Sequence, residues 1–100
     1  MAKEKRTSPP IHPGRVLELE FLEPLGMSAY GLAKELGVDP PRIYKIVAGE
    51  RGISGDTALR LARYFGNSPE FWAALQSRYG LELARYEGED RIEREVQPIG

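Results

Sequence analysis

Apolar side chains recur every three or four positions along most of this chain, and short clusters of glycine, proline and serine interrupt them. A period of three to four residues is typical of helices with one buried side, and no segment shows the strict alternation of a half-buried strand. We therefore predict an all-α fold. Five helices are expected, beginning near Pro13, Ser28, Pro40, Ser54 and Pro69.

Proline and glycine predict where two of the helices end. The first helix begins at Pro13 and is expected to end at about Leu22, because Pro24 cannot continue a regular helix. The third helix spans about residues 40–48 and is ended by Gly49. At ~1.5 Å per residue, the third helix is long enough to lie in a DNA major groove.

The segment from residue 32 to residue 46 has the spacing of a helix-turn-helix. Ala33 is small enough to let two helices cross closely, and four residues later Gly37 supplies the left-handed backbone of a sharp turn. The apolar residues around this turn are expected to face inward. The predicted core positions of the motif are Leu32, Ala33, Leu36, Gly37, Val38, Ile43 and Ile46. A helical hairpin that contacts no nucleic acid is the alternative interpretation.

The outward side of the third helix carries the residues that could read DNA bases. Arg42 and Lys45 are three positions apart and share a face. Arg42 could bind guanine O6 and N7 together, while Lys45 could reach a guanine or a phosphate. Tyr44 could pack on a sugar or methyl group, and Pro40 and Pro41 offer apolar contact to thymine methyl groups.

Phosphate contacts are expected on both sides of the third helix. Backbone N–H groups at the start of the second helix, at Ser28 and Ala29, are suited to bind a phosphate. Arg51 and Ser54, with Thr57 behind them, are predicted to hold the DNA backbone on the far side.

The distribution of charge fits DNA binding better than the overall net charge of −1 does. Residues 28–67 carry six basic and four acidic side chains, whereas residues 68–100 carry four basic and seven acidic ones. A positive patch this small binds DNA weakly. We therefore expect a dimer, which doubles the phosphate contacts and binds an inverted repeat of double-stranded operator DNA.

Composition limits the other functions. One hundred residues with 41% hydrophobic side chains make one small domain. There is no cysteine, no apolar run of the ~18 residues that suggest a membrane span, and no secretory signal, so we expect a cytoplasmic protein that contacts no membrane. His12, the single histidine, is interpreted as a residue at the start of the first helix. No cofactor, metal site or catalytic set is predicted, so an enzyme is not expected.

Three segments leave alternatives open. In the fifth helix, apolar residues at helical spacing either close the core or form a dimer surface. These residues are Trp72, Leu75, Tyr79 and Leu83. On the first helix, Val16 and Leu19 form a second apolar edge, which is either a partner contact or partly shielded surface. The charged tail, residues 88–100, is either disordered or ordered against a partner.

Four short motifs give the chain a family resemblance. HPG precedes the first helix, EPLG follows it, RGIS follows the third helix, and ALRLARYFGNSPEFW covers the fourth helix and the start of the fifth. Over roughly residues 11–84 the chain resembles the HigA/VapI-type antitoxins of the lambda-repressor-like (Xre) helix-turn-helix superfamily. The ending IEREVQP at residues 92–98 is also similar to that of some members.

The resemblance implies a lambda-repressor-like fold of five helices with a long C-terminal helix and a short tail. It also implies a homodimer that represses its own operon and neutralises a RelE-like, mRNA-cleaving toxin encoded beside it. The chain departs from the family at Pro40 and Pro41, where polar residues are common, and at Glu50, where a basic residue is common. These departures shift base readout to the basic residues of the third helix and leave the phosphate contact at that corner to Arg51.

Taken together, the predictions divide the chain into a flexible basic N-terminal arm (1–10), a helix-turn-helix domain (11–87) and a charged tail (88–100). For the toxin contact we expect the arm together with Val16 and Leu19. A stand-alone Xre-type transcriptional repressor with no toxin partner is the alternative function. An interaction module that has lost its DNA-binding face is a third.

Overall fold

Five helices make up most of the structure, a computed structural model that describes residues 8–100. They are α1 (residues 13–25), α2 (Ala29–Leu36), α3 (Pro40–Val47), α4 (Gly55–Phe65) and α5 (Pro69–Glu95). The described residues contain no strand. The predicted all-α fold of five helices is therefore confirmed, while residues 1–7 of the predicted basic arm lie outside the described part of the chain.

Serine side chains begin three of the helices. Ser28, Ser54 and Ser68 each accept a hydrogen bond from the backbone N–H three residues further on, at 2.9, 3.2 and 3.1 Å. Each bond satisfies a donor that a helix start otherwise leaves open. The start of α3 differs, because Asp39 makes no side-chain capping bond and Pro40 at the first helical position has no N–H to satisfy.

Helix α1 is longer than the sequence predicted, and its middle is a π-helix. Its segments are α-helical Pro13–Val16, π-helical Leu17–Leu22 and α-helical Glu23–Leu25. The prediction that Pro24 ends this helix is wrong. Just before the proline, the Glu23 N–H bonds to the Glu18 carbonyl five residues back, and this wider turn leaves room for a ring that a regular α-helix would exclude. The helix ends at Gly26, whose φ of 63° is left-handed.

The core lies where α1, the α2–α3 pair and α4 meet the start of α5. Trp72 is completely buried at its centre, with its ring centroids 4.8 Å from Phe21 and 6.1 Å from Phe65. Its indole N–H donates to the Asn67 side-chain oxygen at 2.9 Å. Trp72 is therefore a core residue of one chain, so of the two alternatives for this residue the structure favours closing the core over forming a dimer surface. A large ring with its single donor satisfied internally is most stable in the interior.

Helix α5 extends well beyond this core. It has 27 residues, or about 40 Å at 1.5 Å per residue, and the molecule measures 50 Å along its longest axis. Leu75, Tyr79 and Leu83 are half-buried, and the predicted boundary after residue 87 falls inside the helix, where Gly88 introduces a kink. Residues 89–95 remain helical, so most of the predicted tail continues α5. Despite this length, none of the helices in the described part has the apolar length needed to cross a membrane.

Candidate nucleic-acid interface

Helices α2 and α3 form the helix-turn-helix that the spacing predicts. Gly37 has a left-handed backbone (φ 70°, ψ 35°), and the Val38 N–H donates to the Ala33 carbonyl at 3.0 Å across the turn. Val38 is half-buried and packs on the core. The motif positions that the structure buries are Leu32, Ala33, Leu36, Ile43 and Ile46. One side of α3 is thus committed to the core, which fixes the direction of the other.

The start of α1 meets the far end of α3 in a contact that leaves no room for a side chain. A Cβ atom on Gly14 would lie 1.8 Å from the backbone oxygen of Ile46. Just before this glycine, His12 begins the helix, with its Nδ1 accepting from the Gly14 N–H at 2.8 Å and its ring meeting Tyr79 edge-on. From the sequence, Gly14 was predicted only to begin a helix, because a close approach of two backbones leaves no periodic signal. The HPG motif therefore helps to set where α3 lies.

Burial lowers the pKa of His12 below its ordinary value. Since Nδ1 accepts the hydrogen bond that begins α1, the neutral ring carries its proton on Nε2. A second proton would go to Nδ1 and remove that acceptor. The predicted role of His12 at the start of the first helix therefore agrees with the structure.

The loop between α3 and α4 is anchored to α5. The Ile53 N–H donates to Gln76 Oε1 at 2.8 Å, and the Ile53 side chain is buried. A Cβ atom on Gly52 would lie 3.0 Å from the amide group of Gln76, so the glycine leaves that group room to reach the loop. Sequence reasoning missed Gln76, because one polar residue on a long helix has no pattern that marks it. The anchored loop holds exposed Arg51 at the edge of the motif.

Three of the predicted base-reading residues form the exposed side of α3. Pro41, Tyr44 and Lys45 are exposed, and Tyr44 and Lys45 follow Pro41 by three and four positions, which places both beside it on the outer side of the helix. Tyr44 is 50% exposed, and Pro40 beside them is half-buried. Within residues 8–100, Lys45 forms no ion pair, so its ammonium group projects toward solvent.

Arg42 has a different environment from its neighbours. Its Nη1 donates to Asp56 Oδ2 at 2.6 Å and to Thr57 Oγ1 at 3.4 Å, and its side chain is only 28% exposed. The guanidinium group therefore lies against the start of α4 rather than projecting outward. The outward placement predicted for Arg42 is therefore wrong, and its contact with a guanine stays a prediction. Sequence spacing put Arg42 and Lys45 on one face, but it could not show that a carboxylate fourteen residues away binds one of them.

Thr57 is the second predicted site residue that the structure places elsewhere. It is 1% exposed, and its hydroxyl oxygen accepts from the Ser54 hydroxyl at 3.1 Å as well as from Arg42. A buried hydroxyl with these partners cannot reach a DNA phosphate, so the predicted phosphate contact of Thr57 is wrong. Ser54 itself is exposed, and its phosphate contact remains a prediction.

The start of α2 is more exposed to solvent than Thr57 is. Ser28 is exposed and its oxygen accepts the Gly31 N–H, while Ala29 is half-buried. The first turn of α2 contains no acidic residue, so nothing there opposes the partial positive charge of the helix start. Ser28 and Ala29 lie at the helix start as predicted, and their phosphate contact stays a prediction.

Asp56, in the first turn of α4, forms ion pairs with two arginines, Arg42 and Arg60. Hydrogen bonds from Arg42, and next from Arg60, hold the pKa of this carboxyl group below its usual value, so it remains ionised at neutral pH. Arg60 Nε lies 2.9 Å from the same Oδ2 atom that Arg42 binds. The basic count of residues 28–67 therefore overstates the cations directed at DNA, because two of them share a carboxylate.

The apolar edge predicted on α1 is partly present. Leu19 is 43% exposed, whereas Val16 is half-buried. Both lie on the described part of the chain, but the basic residues of the arm that was predicted to act with them do not. A toxin contact at this edge remains a prediction.

Comparisons with known proteins agree with this architecture. A helix-turn-helix family model matches residues 19–72. Virulence-associated protein I of Dichelobacter nodosus is 51% identical over 80% of this chain and 74% of its own length. Antitoxin HigA-1 of Vibrio cholerae serotype O1 is 37% identical over 99% of this chain and 90% of its own length.

Solved structures extend the agreement to three dimensions. The antitoxin HigA of Pseudomonas aeruginosa, solved with the higBA promoter, superposes with a TM-score of 0.87 at 45% identity, over 91% of this chain and 99% of that one. The match includes the helix-turn-helix and the long last helix, since it covers nearly the whole of both chains. The chain therefore belongs to the Xre-type helix-turn-helix family, in the group that contains the HigA antitoxins and virulence-associated protein I.

Proposed function

We propose that this chain is an antitoxin that binds its own operator as a dimer and neutralises a RelE-like toxin encoded beside it. The observation that carries the proposal is the outward face of α3, which presents Pro41, Tyr44 and Lys45 while its other side is fixed in the core. The likeness to the HigA solved with its promoter supports the same assignment. The protein would repress transcription of its operon by occupying the operator.

The dimensions of the helix suit a major groove. Eight residues give α3 a length of about 12 Å, and the major groove is about 12 Å wide. Lys45 would reach a base edge or a phosphate, and Tyr44 and the prolines would pack on sugars or thymine methyl groups. Ser28 and Ala29 at the start of α2, with Arg51 and Ser54 after α3, would hold the phosphates on either side.

We expect a dimer because the α3 face of a single domain would bind DNA only weakly. Few exposed cations give one domain few phosphate contacts, so two copies on an inverted repeat are needed for tight binding. The part of α5 beyond the core supports this, because Leu81 and Tyr86 there are 55% and 42% exposed in one chain. We assign Leu75, Tyr79 and Leu83 to the dimer contact, next to exposed Leu81 and Tyr86.

DNA binding is tested with the upstream region and a scrambled duplex of equal length, in mobility-shift titrations at several salt concentrations. Wild type should prefer the upstream region. Arg51→Ala should weaken binding to both duplexes alike and reduce the salt slope by about one. Arg63→Ala is the control: it removes the same charge about two and a half turns after Ser54 on α4, and it should leave the affinity and the salt slope nearly unchanged. Equal affinity of the wild type for both duplexes at low salt would reject the proposal.

Toxin neutralisation is tested by co-expression with the reading frame encoded next to this gene. The two products should co-purify, and the antitoxin should restore growth. Val16 and Leu19 on α1, together with the basic arm, are the proposed contact, so deletion of residues 1–10 combined with Leu19→Glu should abolish neutralisation. A doubly altered chain that still neutralises would remove this site from the proposal. A stand-alone repressor is the second candidate, and it would bind the operator without retaining any neighbouring product.

A further inference from the structure

One carboxylate and two arginines join α2, α3 and α4 around the proposed DNA-binding face. We call the set Arg42, Asp56 and Arg60 the Asp56 clasp. Arg42 of α3 and Arg60 of α4 both donate to Asp56 Oδ2, at 2.6 and 2.9 Å. Arg60 also donates through Nη1 to the Leu36 carbonyl at the end of α2, at 2.8 Å. The clasp thus connects the last turn of α2, the first turn of α3 and the first turn of α4.

The position of the clasp matters more than the strength of any one of its bonds. Arg42 lies in the third position of α3, at the end that would enter the groove first. The other end of α3 is held by the contact between Gly14 and Ile46. Because both ends of α3 are fixed, the orientation of α3 relative to the rest of the domain is set before DNA binds.

We propose that the Asp56 clasp is a positioning device, and that Arg42 acts through Asp56 rather than by reading a base. This rests on the proposed DNA binding and narrows it, since base readout then falls to Pro41, Tyr44 and Lys45. To reach a guanine, Arg42 would have to leave Asp56. Asp56 would then keep only Arg60 as a partner. Its negative charge would be less neutralised near the phosphates of the DNA backbone, which repel it. Bound DNA therefore favours the closed clasp.

The experiment is a double-mutant cycle with Arg42→Ala, Asp56→Ala and the double variant. Each is titrated against the upstream duplex and a set of duplexes with single base-pair changes. Arg42→Ala should lower affinity for every duplex by a similar factor, on the order of tenfold, and leave the order of base preference unchanged. The double variant should bind no worse than either single variant, because removing one partner already opens the clasp. Lys45→Ala is the comparison variant and should change the preference at particular base pairs.

Direct readout by Arg42 makes opposite predictions. Arg42→Ala would then erase the preference at one base pair, and would do so equally in the Asp56→Ala background. Either result would overturn the proposal, as would wild-type affinity in Arg42→Ala. Circular dichroism checks that each variant is folded, and Asp56→Asn, which keeps the size and removes the charge, replaces any variant that is not.

Failure of the proposed DNA binding can be told apart from failure of the clasp. If the wild type shows no preference for its upstream duplex, the proposed function fails. Hydrogen exchange of the α3 backbone amides then tests whether the clasp holds α3 in place. The exchange rate should increase equally in Arg42→Ala, Asp56→Ala and the double variant. Unchanged exchange in the single variants would reject the clasp as a positioning device.

Discussion

The two sides of helix α3 differ in how many contacts they make with the rest of the chain. On the inner side, Ile43 and Ile46 are completely buried, Gly14 touches the backbone, and Arg42 is bound to α4. On the outer side, Tyr44 and Lys45 contact little of the protein. The fold therefore restricts the inner residues through packing, whereas the outer residues can differ between relatives without loss of stability. Such a division is expected where one scaffold serves many DNA sequences.

The largest effect is expected at the backbone contact. Gly14→Ala places a Cβ atom 1.8 Å from the Ile46 oxygen, so α1 or α3 must move. Overpacking of this kind typically costs 1–3 kcal/mol, and because backbone rather than a side chain is struck we expect about 3 kcal/mol or more. Denaturant unfolding measures the loss. The matched control is Gly80→Ala in α5, where a Cβ meets nothing within 4 Å, and it should stabilise the chain by up to about 1 kcal/mol. Equal behaviour of the two variants would contradict the contact.

A smaller loss is expected where the loop after α3 is anchored. Gln76→Ala removes the acceptor of the Ile53 N–H and should cost about 1–2 kcal/mol in the free energy of unfolding. Exchange of that amide hydrogen should also become faster. Gln97→Ala is the control, because Gln97 is exposed and makes only a 3.4 Å bond to a carbonyl near the chain end. The anchor would be disproved by an Ile53 amide as protected in Gln76→Ala as in wild type.

The pH dependence of stability should be smaller still and traceable to His12. Its pKa is lower in the folded chain than the unfolded value of 6.5, so the unfolded chain binds more protons below that pH. Stability should therefore be complete above about pH 6.5 and decrease as the pH falls toward the folded pKa. His12→Asn keeps an acceptor at the helix start and does not titrate, so melting temperatures of this variant between pH 7.5 and 5.5 should decrease less. A parallel decrease in both proteins would assign the effect to other groups.

The smallest effect on stability is expected on the outer side of α3. Lys45→Ala should change the free energy of unfolding by less than about 0.5 kcal/mol, because the side chain is exposed and unpaired within residues 8–100. Its effect on operator binding should be about 1–3 kcal/mol. Thermal unfolding and mobility shifts on the same sample separate the two quantities. A clearly destabilised Lys45→Ala would break the distinction between the two sides.

The periodic part of the fold was predictable from sequence, and contacts between distant residues were not. Spacing and capping residues identified five helices, the turn at Gly37 and the inward side of α3, because these depend on near neighbours. The bond between Arg42 and Asp56 joins residues fourteen apart on different helices, and no period encodes it. The burial of Thr57 was missed for the same reason, since its bond to Arg42 also joins two different helices. Trp72 was ambiguous because an aromatic residue suits both a core and an interface.

The π-helical turn of α1 has a consequence for how this chain can change in length. Leu17 and Leu22 are both buried although they are five residues apart, and in a regular α-helix they would point about 140° away from each other. Deleting Glu20 would bring the two leucines to a spacing of four, which suits a regular helix, but Pro24 would then collide with the turn before it. The extra residue and the proline are therefore a matched pair. A relative one residue shorter here should also lack the proline.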